Sequence, residues 1–113
     1  MYTYRATITN VYDGDTITAD LDLGFYAHMK KVKLRLWGLN APEVRGESRT
    51  AGLAARDWLR ERVKDADIIV VTFKDKQGKY GRWLATLIDS TNPEGPTINE
   101  EMIAAGHAVE KHY

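Results

Sequence analysis

The sequence predicts a mainly β fold with helices (α+β), in which five strands close into a barrel. Two observations support this prediction. Five short runs either alternate apolar with polar residues or are rich in β-branched and aromatic residues, as strands are. A helical repeat of apolar residues follows the third run, and a shorter one follows the fifth. Three strands, a helix, two strands and a helix are the content of a five-stranded Greek-key barrel of the OB type.

The first three strands follow one another through short connections. Residues 2–12 and 16–23 are both strand-like, and the Asp13-Gly14-Asp15 segment between them is a strong hairpin signal. After a loop around residues 24–28, residues 29–37 form the third strand. Apolar and basic residues alternate in it, as expected for a strand with one buried and one exposed face: Lys31, Val32, Lys33, Leu34, Arg35 and Leu36.

A long helix is predicted between the third and fourth strands. Apolar residues recur at helical spacing over residues 51–66, which places Ala51 and Trp58 on the buried face. Ser48 or Thr50 is positioned to cap the start of this helix.

The last part of the chain supplies two more strands and a short helix. Residues 67–73 and 80–89 are expected to pair as a second hairpin. Thr97 is expected to cap a short C-terminal helix that ends at Gly106, a residue type that commonly stops helices.

Length and composition limit the classes of protein to which the chain can belong. Its 113 residues suffice for one core, so we expect residues 1–113 to form a single domain and a monomer. Sixteen basic and sixteen acidic residues cancel, so nucleic-acid binding would depend on a local basic surface. The absence of cysteine excludes disulfides and thiolate metal sites. No apolar run suits a membrane span or a signal peptide, which favours a cytoplasmic protein without membrane contact, or a secreted one if a leader was removed.

A rigid corner follows the third strand and is the segment around which a site is expected to form. Gly38 breaks the strand, and Pro42 fixes its own backbone while favouring extended geometry at Ala41. Asn40 and Glu43 are therefore held at set positions. The alternative is a surface strand that ends in an ordinary polar turn.

Two carboxylates lie two residues apart in the first hairpin turn. Asp15, the Asn40 side chain and the Ala41 carbonyl would supply several of the oxygen ligands that Ca²⁺ prefers. Gly14, between the two aspartates, permits close approach of the backbone. The alternative is a turn that uses Asp and Gly for conformational reasons alone.

Arg35 and Arg82 are the two arginines in otherwise strand-like surroundings. A guanidinium binds phosphate through paired hydrogen bonds and stabilises charge that builds on phosphate oxygens during phosphoryl transfer. Glu43, beside a metal-held phosphate, has the chemistry of a general base for water. The alternatives are surface arginines that serve solubility and an exposed glutamate after proline. The three histidines show no metal-ligand spacing, and we assign them no catalytic role.

Four segments together resemble the thermonuclease or staphylococcal (micrococcal) nuclease-like family. They occur in the family's order and at comparable spacing over almost the whole chain, namely Asp13-Gly14-Asp15-Thr16, Arg35 to Glu43, Lys79-Tyr80-Gly81-Arg82, and Asn99-Glu100 followed by Gly106. The resemblance implies an OB-fold, Ca²⁺-dependent nuclease. Such an enzyme would hydrolyse phosphodiester bonds of single-stranded or frayed DNA or RNA and leave 3′-phosphate ends.

The resemblance implies one Ca²⁺ ion bound by Asp15, Asn40 and the carbonyl of Ala41. Asp13 would act on the ion through a water molecule. Asn40 departs from the family pattern, because the family commonly has a second aspartate at this position. An amide keeps an oxygen ligand but removes one negative charge, so we expect weaker metal binding and an altered preference among ions.

The resemblance also implies the residues that act on the substrate. Glu43 would be the general base, and Arg35 and Arg82 would clamp the phosphate and the transition state. The expected substrate-binding residues are Lys79, Tyr80 and Leu84. The alternative function is a catalytically weak or inactive OB-fold nucleic-acid-binding module, since some members of the family have lost catalytic residues. The presence of Arg35, Glu43 and Arg82 together favours the nuclease.

Overall fold

Residues 2–74 and 83–112 are described by a computed structural model, and they form a closed five-stranded barrel with two α-helices. In chain order the elements are strands β1 (Tyr2–Asp13), β2 (Thr16–Gly24), β3 (Ala27–Leu36) and β4 (Leu39–Asn40), helix α1 (Arg49–Val63), strands β5 (Ile68–Lys74) and β6 (Trp83–Asp89), helix α2 (Ile98–Ala104) and strand β7 (Val109–Glu110). A 3₁₀ turn, Gly46–Ser48, precedes α1. The predicted fold class is confirmed, since the long helix follows the third barrel strand and the short helix follows the fifth.

The barrel closes in the order β1-β2-β3-β6-β5. Neighbouring strands run antiparallel except β3 and β6, which are parallel, and β1 pairs with β5 to complete the circle. The parallel pair places Arg35 of β3 beside Leu84 of β6. The strands of both predicted hairpins pair as expected, β1 with β2 and β5 with β6. The turn of the second hairpin lies outside the described residues. The core consists of the inward-facing residues of these strands, including Ile17, Leu34, Leu36, Val70 and Leu87.

Helix α1 packs on the barrel through Gly52, Ala55, Leu59 and Val63. The predicted assignment of Ala51 to the buried face is wrong by one position, because Ala51 is exposed and Gly52 occupies the buried site. Trp58 is partly buried against the core and lies 5.9 Å from the ring of His107, measured between ring centroids.

The C-terminal helix begins as predicted. Thr97 accepts a hydrogen bond from the backbone N–H of Glu100, whose side chain accepts one from the backbone N–H of Thr97, so the two residues form a capping box. Gly106 follows the helix with a positive φ of 81°, which favours glycine.

A two-stranded sheet that the sequence did not predict joins the corner to the C-terminal segment. Asn40 of β4 pairs with Val109 of β7, and the backbone N–H of Lys111 donates to the Gly38 carbonyl at 2.8 Å. The corner is therefore held by backbone hydrogen bonds to the C-terminal segment.

The buried amide of Asn99 connects α2 to the barrel at the same end. It accepts a hydrogen bond from the backbone N–H of Leu87 at 2.9 Å and donates to the carbonyls of Trp37 and Ala85 at 2.9 and 3.0 Å. These three bonds satisfy backbone groups just after β3 and within β6, and so fix the position of the corner that follows β3. Over residues 2–74 and 83–112, neither helix has the length and apolar character needed to cross a membrane.

Candidate active site

The turn between β1 and β2 holds a buried carboxylate at the edge of the barrel. Asp15 is 6% exposed. Its Oδ1 accepts a hydrogen bond from the Thr16 hydroxyl at 3.2 Å, and its Oδ2 accepts one from the backbone N–H of Ala41 at 3.1 Å. The Asp15 carbonyl accepts a further bond from the backbone N–H of Leu36 at 2.8 Å. The turn is thereby tied both to the end of β3 and to the corner.

Arg35 joins the hairpin turn to the corner. Its Nη2 donates to the side-chain oxygen of Asn40 at 2.5 Å and lies 3.5 Å from Asp15 Oδ2. The Arg35 side chain is 19% exposed, so this ion pair is shielded from solvent more than a surface pair is. The predicted ligand oxygens of Asp15 and Asn40 therefore both face the Arg35 guanidinium, although the two residues are 25 positions apart in the sequence.

Gly14 permits the close approach of these two segments. A Cβ at this position would lie 2.6 Å from the Ala41 side chain and 3.0 Å from that of Ala55. No other residue type fits without a shift of the turn, because both neighbours are short side chains fixed close to the backbone. The space that glycine leaves is what lets the Ala41 N–H reach the Asp15 carboxylate.

Asp13 lies half-buried on the other side of the turn. Its Oδ1 accepts a hydrogen bond from the backbone N–H of Asp15 at 3.1 Å. The pKa of the Asp13 carboxyl is raised to about 6, chiefly by burial and next by the hydrogen bond and negative charge of the Asp15 side chain, against smaller lowering effects of the Asp15 backbone and Thr16 hydrogen bonds. The two carboxylates thus repel each other, and a cation between them would relieve this repulsion.

Glu43 has a backbone held by neighbouring residues and a side chain exposed to solvent. Its carbonyl accepts a hydrogen bond from the Ser48 hydroxyl at 2.9 Å, and a Cβ on Gly52 would lie 2.1 Å from the same carbonyl oxygen. Ser48 occupies the N-cap position of α1, but its hydroxyl makes no capping bond and instead donates at the corner. The Glu43 carboxylate is 74% exposed, and its ion pair is with Arg45 at 4.0 Å. Among residues 2–74 and 83–112, no ion pair links the Glu43 carboxylate to Asp15 or Arg35.

The predicted substrate residues fall into two groups. Leu84 lies in β6 beside Arg35, but it is only 4% exposed. Its contact with a nucleic-acid base remains a prediction. Lys79, Tyr80 and Arg82 lie outside the described residues.

A groove of about 310 Å³ opens beside the corner, lined by Asn40, Ala41, Pro42 and residues 106–109. Its volume is at the lower end of those found for small-molecule sites. Since Asn40 and Ala41 also belong to the Asp15 cluster, the groove adjoins that cluster.

The oxygen ligands here match Ca²⁺ in chemical type. Asp15 and Asn40 offer a carboxylate and an amide oxygen that already face a cation, and Asp13 adds a second carboxylate nearby. The described part of the chain has no group of three or more His, Cys, Asp or Glu side chains arranged to hold a metal. These oxygens are of the chemical type that binds Ca²⁺, and carbonyl oxygens and water would have to supply the remaining ligands.

Several residues that build this site were not assigned a site role from the sequence. Thr16 and Ser48 fix the Asp15 carboxylate and the Glu43 carbonyl, and Asn99 anchors the end of β3. Thr16 and Asn99 lie in the segments that resemble the family, and Gly52 carried a separate signal, since a glycine inside a helical pattern often marks close packing. Hydroxyl and amide contacts between distant segments leave no periodic pattern in a sequence.

Two comparisons with known proteins bear on this geometry. The sequence profile of the family described as staphylococcal nuclease homologue matches residues 33–113, which is well over half of the chain. The chain is also similar to the uncharacterized protein MJ1439 of Methanocaldococcus jannaschii, with 23% identity over an alignment of 126 residues that covers 93% of this chain and 58% of that relative. The chain thus spans somewhat more than half the length of this relative.

Proposed function

Because the chain belongs to the staphylococcal nuclease homologue family, we propose that it is a Ca²⁺-dependent nuclease that hydrolyses phosphodiester bonds in single-stranded or frayed DNA or RNA. The observation that carries this proposal is the convergence of Asp15, Arg35 and Asn40, in which two oxygen ligands and a phosphate-binding guanidinium meet at one point. Cleavage of the bond between phosphorus and the 5′-oxygen would leave 3′-phosphate ends.

Asp15, Asn40 and the carbonyl of Ala41 would hold the ion, and Asp13 would contact it through water. Bound Ca²⁺ would neutralise charge on the scissile phosphate and so favour attack on phosphorus. The hydrogen bond from Arg35 to Asn40 supports this assignment, because the amide oxygen already faces a positively charged group. The raised pKa of Asp13 also supports a cation site here, since a cation bound nearby would stabilise the ionised carboxylate and lower that pKa.

Arg35 would bind the scissile phosphate. Its side chain is largely buried and fixed by two acceptors, so little conformational entropy is lost when phosphate binds. A phosphate oxygen would replace Asn40 or Asp15 as a hydrogen-bond acceptor of the guanidinium. Arg82 would contact the same phosphate from the hairpin between β5 and β6, with Lys79 and Tyr80 on the next phosphate and Leu84 beside a base.

Glu43 would remove a proton from the attacking water. The oxygen of that water then bonds to phosphorus, the bond to the 5′-oxygen breaks, and Arg82 stabilises the charge on the leaving oxygen until it takes a proton from solvent. The exposed carboxylate on a fixed backbone supports this role, because substrate can reach it while the Ser48 and Gly52 contacts hold its position.

A nucleic-acid-binding module with weak or no catalysis is the second candidate. Asn40 favours it, because an amide in place of a carboxylate lowers the negative charge available to a metal ion. In this alternative Arg35 remains bound to Asn40 and serves only to hold phosphate.

Cleavage of heat-denatured DNA in Ca²⁺, in Mg²⁺ and in chelator tests the proposal. Arg35→Ala is compared with Arg5→Ala, which removes an exposed arginine of β1 paired with Asp67 at 3.4 Å. We expect Ca²⁺-dependent cleavage that Arg5→Ala retains and Arg35→Ala reduces by roughly 100-fold or more, as for loss of one transition-state donor. Cleavage in chelator, or full activity of Arg35→Ala, would contradict the proposal. Strand binding without cleavage in any ion would select the second candidate.

A further inference from the structure

The hairpin that joins β2 to β3 ends in two aromatic side chains in open solvent. The last residue pair of the two strands is Gly24 with Ala27, and Phe25 and Tyr26 form the two-residue turn between them. Phe25 is 102% exposed and Tyr26 is 101% exposed, relative to the extended reference state. Fold stability therefore gains nothing from burial of either ring.

The same two residues adopt a backbone conformation that disfavours them. Phe25 has a φ of 55° and Tyr26 a φ of 61°, so both lie in the left-handed region. Two-residue turns with positive φ at both positions strongly prefer Asn-Gly, because a bulky side chain is strained there. The sequence thus places two aromatic residues where they oppose the local backbone preference and contribute no burial, which indicates a role in binding.

A row of basic side chains connects this tip to the candidate active site. Lys33 and Arg35 lie on the exposed side of β3, opposite Thr18 and Thr16 of β2. Nearer the tip, Lys30 lies 3.4 Å from Asp20, whose carboxylate also accepts a hydrogen bond from the backbone N–H of Lys31 at 2.9 Å. Ala27 precedes Arg35 by eight residues of this strand, and at ~3.3 Å per residue the tip lies roughly 25 Å from Arg35.

We propose that Phe25 and Tyr26 stack on unpaired bases of the strand whose phosphate is bound at Arg35, which makes the hairpin tip a distant base-binding site. This inference rests on the proposed function, because it takes the strand to lie along β3. Aromatic faces combined with a basic track are the means by which proteins hold single strands without reading their sequence. Nucleic acid is favoured over a lipid surface or a protein partner because the basic row leads from the tip to Arg35, where the proposed function places a phosphate of the strand.

Binding of fluorescent dT20 and dT3, measured by anisotropy in chelator so that no cleavage occurs, tests the inference. The variant Phe25→Asn/Tyr26→Gly installs the residues that the turn prefers, so it is expected to fold and to raise the melting temperature. We expect its affinity for dT20 to fall by about fivefold or more for each stacked base. Affinity for dT3 is expected to stay the same, because three nucleotides bound at Arg35 do not reach the tip. The matched control Phe25→Tyr/Tyr26→Phe keeps both aromatic faces and should retain wild-type affinity for dT20.

Several results would overturn the inference. The first is unchanged dT20 affinity of Phe25→Asn/Tyr26→Gly. The second is binding of the wild type, but not of this variant, to phosphatidylglycerol vesicles while dT20 affinity stays equal, which would assign the tip to a membrane. The third is a dimer in sedimentation that the variant abolishes, again with equal dT20 affinity. Absence of cleavage by the wild type in both Ca²⁺ and Mg²⁺ would contradict the proposed nuclease activity. The dT20 binding assay tests the hairpin tip independently of that result.

Discussion

The Arg35 guanidinium donates a 2.5 Å hydrogen bond to the side-chain oxygen of Asn40, which joins the end of β3 to the corner that follows it. The same nitrogen lies 3.5 Å from Asp15. The proposed phosphate-binding residue and two proposed oxygen ligands of the metal therefore lie in contact with one another. A metal ion and Arg35 would compete for the same oxygens unless phosphate is present to take Arg35 away from them.

This relationship predicts the effect of a carboxylate at position 40. Asn40→Asp adds a negative charge beside Asp15, so we expect Ca²⁺ affinity to rise by roughly tenfold, because Ca²⁺ sites are tuned by ligand charge. The concentration of Ca²⁺ that gives half-maximal cleavage should fall in parallel. Calorimetric titration with Ca²⁺ alone measures the affinity independently of activity. Equal affinity of the wild type and the variant would remove residue 40 from the ligand set.

Glu43→Gln is expected to separate catalysis from folding. The carboxylate is 74% exposed and its partner Arg45 is 4.0 Å away, so the substitution should leave the melting temperature unchanged. Loss of a general base should lower kcat by about 100- to 10,000-fold. Glu47→Gln, an exposed glutamate in the next turn, is the matched control and should keep full activity. A Glu43→Gln enzyme as fast as this control would show that another group accepts the proton.

Gly52→Ala is expected to destabilise the protein, contrary to the usual effect of alanine in a helix. Alanine at an unconstrained helical position is more favourable than glycine by ~1 kcal/mol. Here its Cβ would lie 2.1 Å from the Glu43 carbonyl oxygen, so α1 or the corner must shift, at a cost of about 1–3 kcal/mol. Urea denaturation measures this change.

The matched control for Gly52 is on the same helix. Ala54→Gly, at an exposed position, should lose about 1 kcal/mol through helix propensity alone. If Gly52→Ala were instead more stable than the wild type, the corner would not be packed on α1 as described.

The raised pKa of Asp13 predicts how the stability of the metal-free protein depends on pH. The carboxyl titrates near its usual pKa of 3.8 when unfolded and at about 6 when folded. Between these values the folded state binds more protons than the unfolded state, so this group makes the protein less stable as pH rises from about 4 to about 6. The stabilisation from protonated Asp13 is present at low pH and is lost above its folded pKa.

Melting temperatures recorded in chelator across this range check the prediction. Asp13→Asn should remove this pH-dependent contribution. Its melting temperature should therefore rise most, relative to that of the wild type, above pH 6. Asp57→Asn, at a 61% exposed position on α1, controls for the loss of one charge. Equal pH profiles of the wild type and Asp13→Asn would show that Asp13 is not buried beside Asp15.

Local patterns in the sequence were sufficient for most of the fold. Alternation in residues 29–37, the Asp-Gly turn and the Thr97 cap each act through neighbours in sequence, so the five barrel strands, the first hairpin and the start of α2 were predicted correctly. The boundary of α1 and the exposure of Ala51 were predicted less well, because a one-residue rotation of a helix changes which side chains face the barrel.

The family, the barrel and the candidate site residues could be predicted from the sequence, because these predictions depend on composition, periodicity and the spacing of motifs. The structure was needed to show that Arg35 lies between Asp15 and Asn40, that Gly14 and Gly52 let the corner approach its neighbours, and that Phe25 and Tyr26 are fully exposed at a hairpin tip. Most of these relations join segments far apart in the chain. Their distances are set by how the barrel closes and how α1 packs on it, which local preferences do not specify.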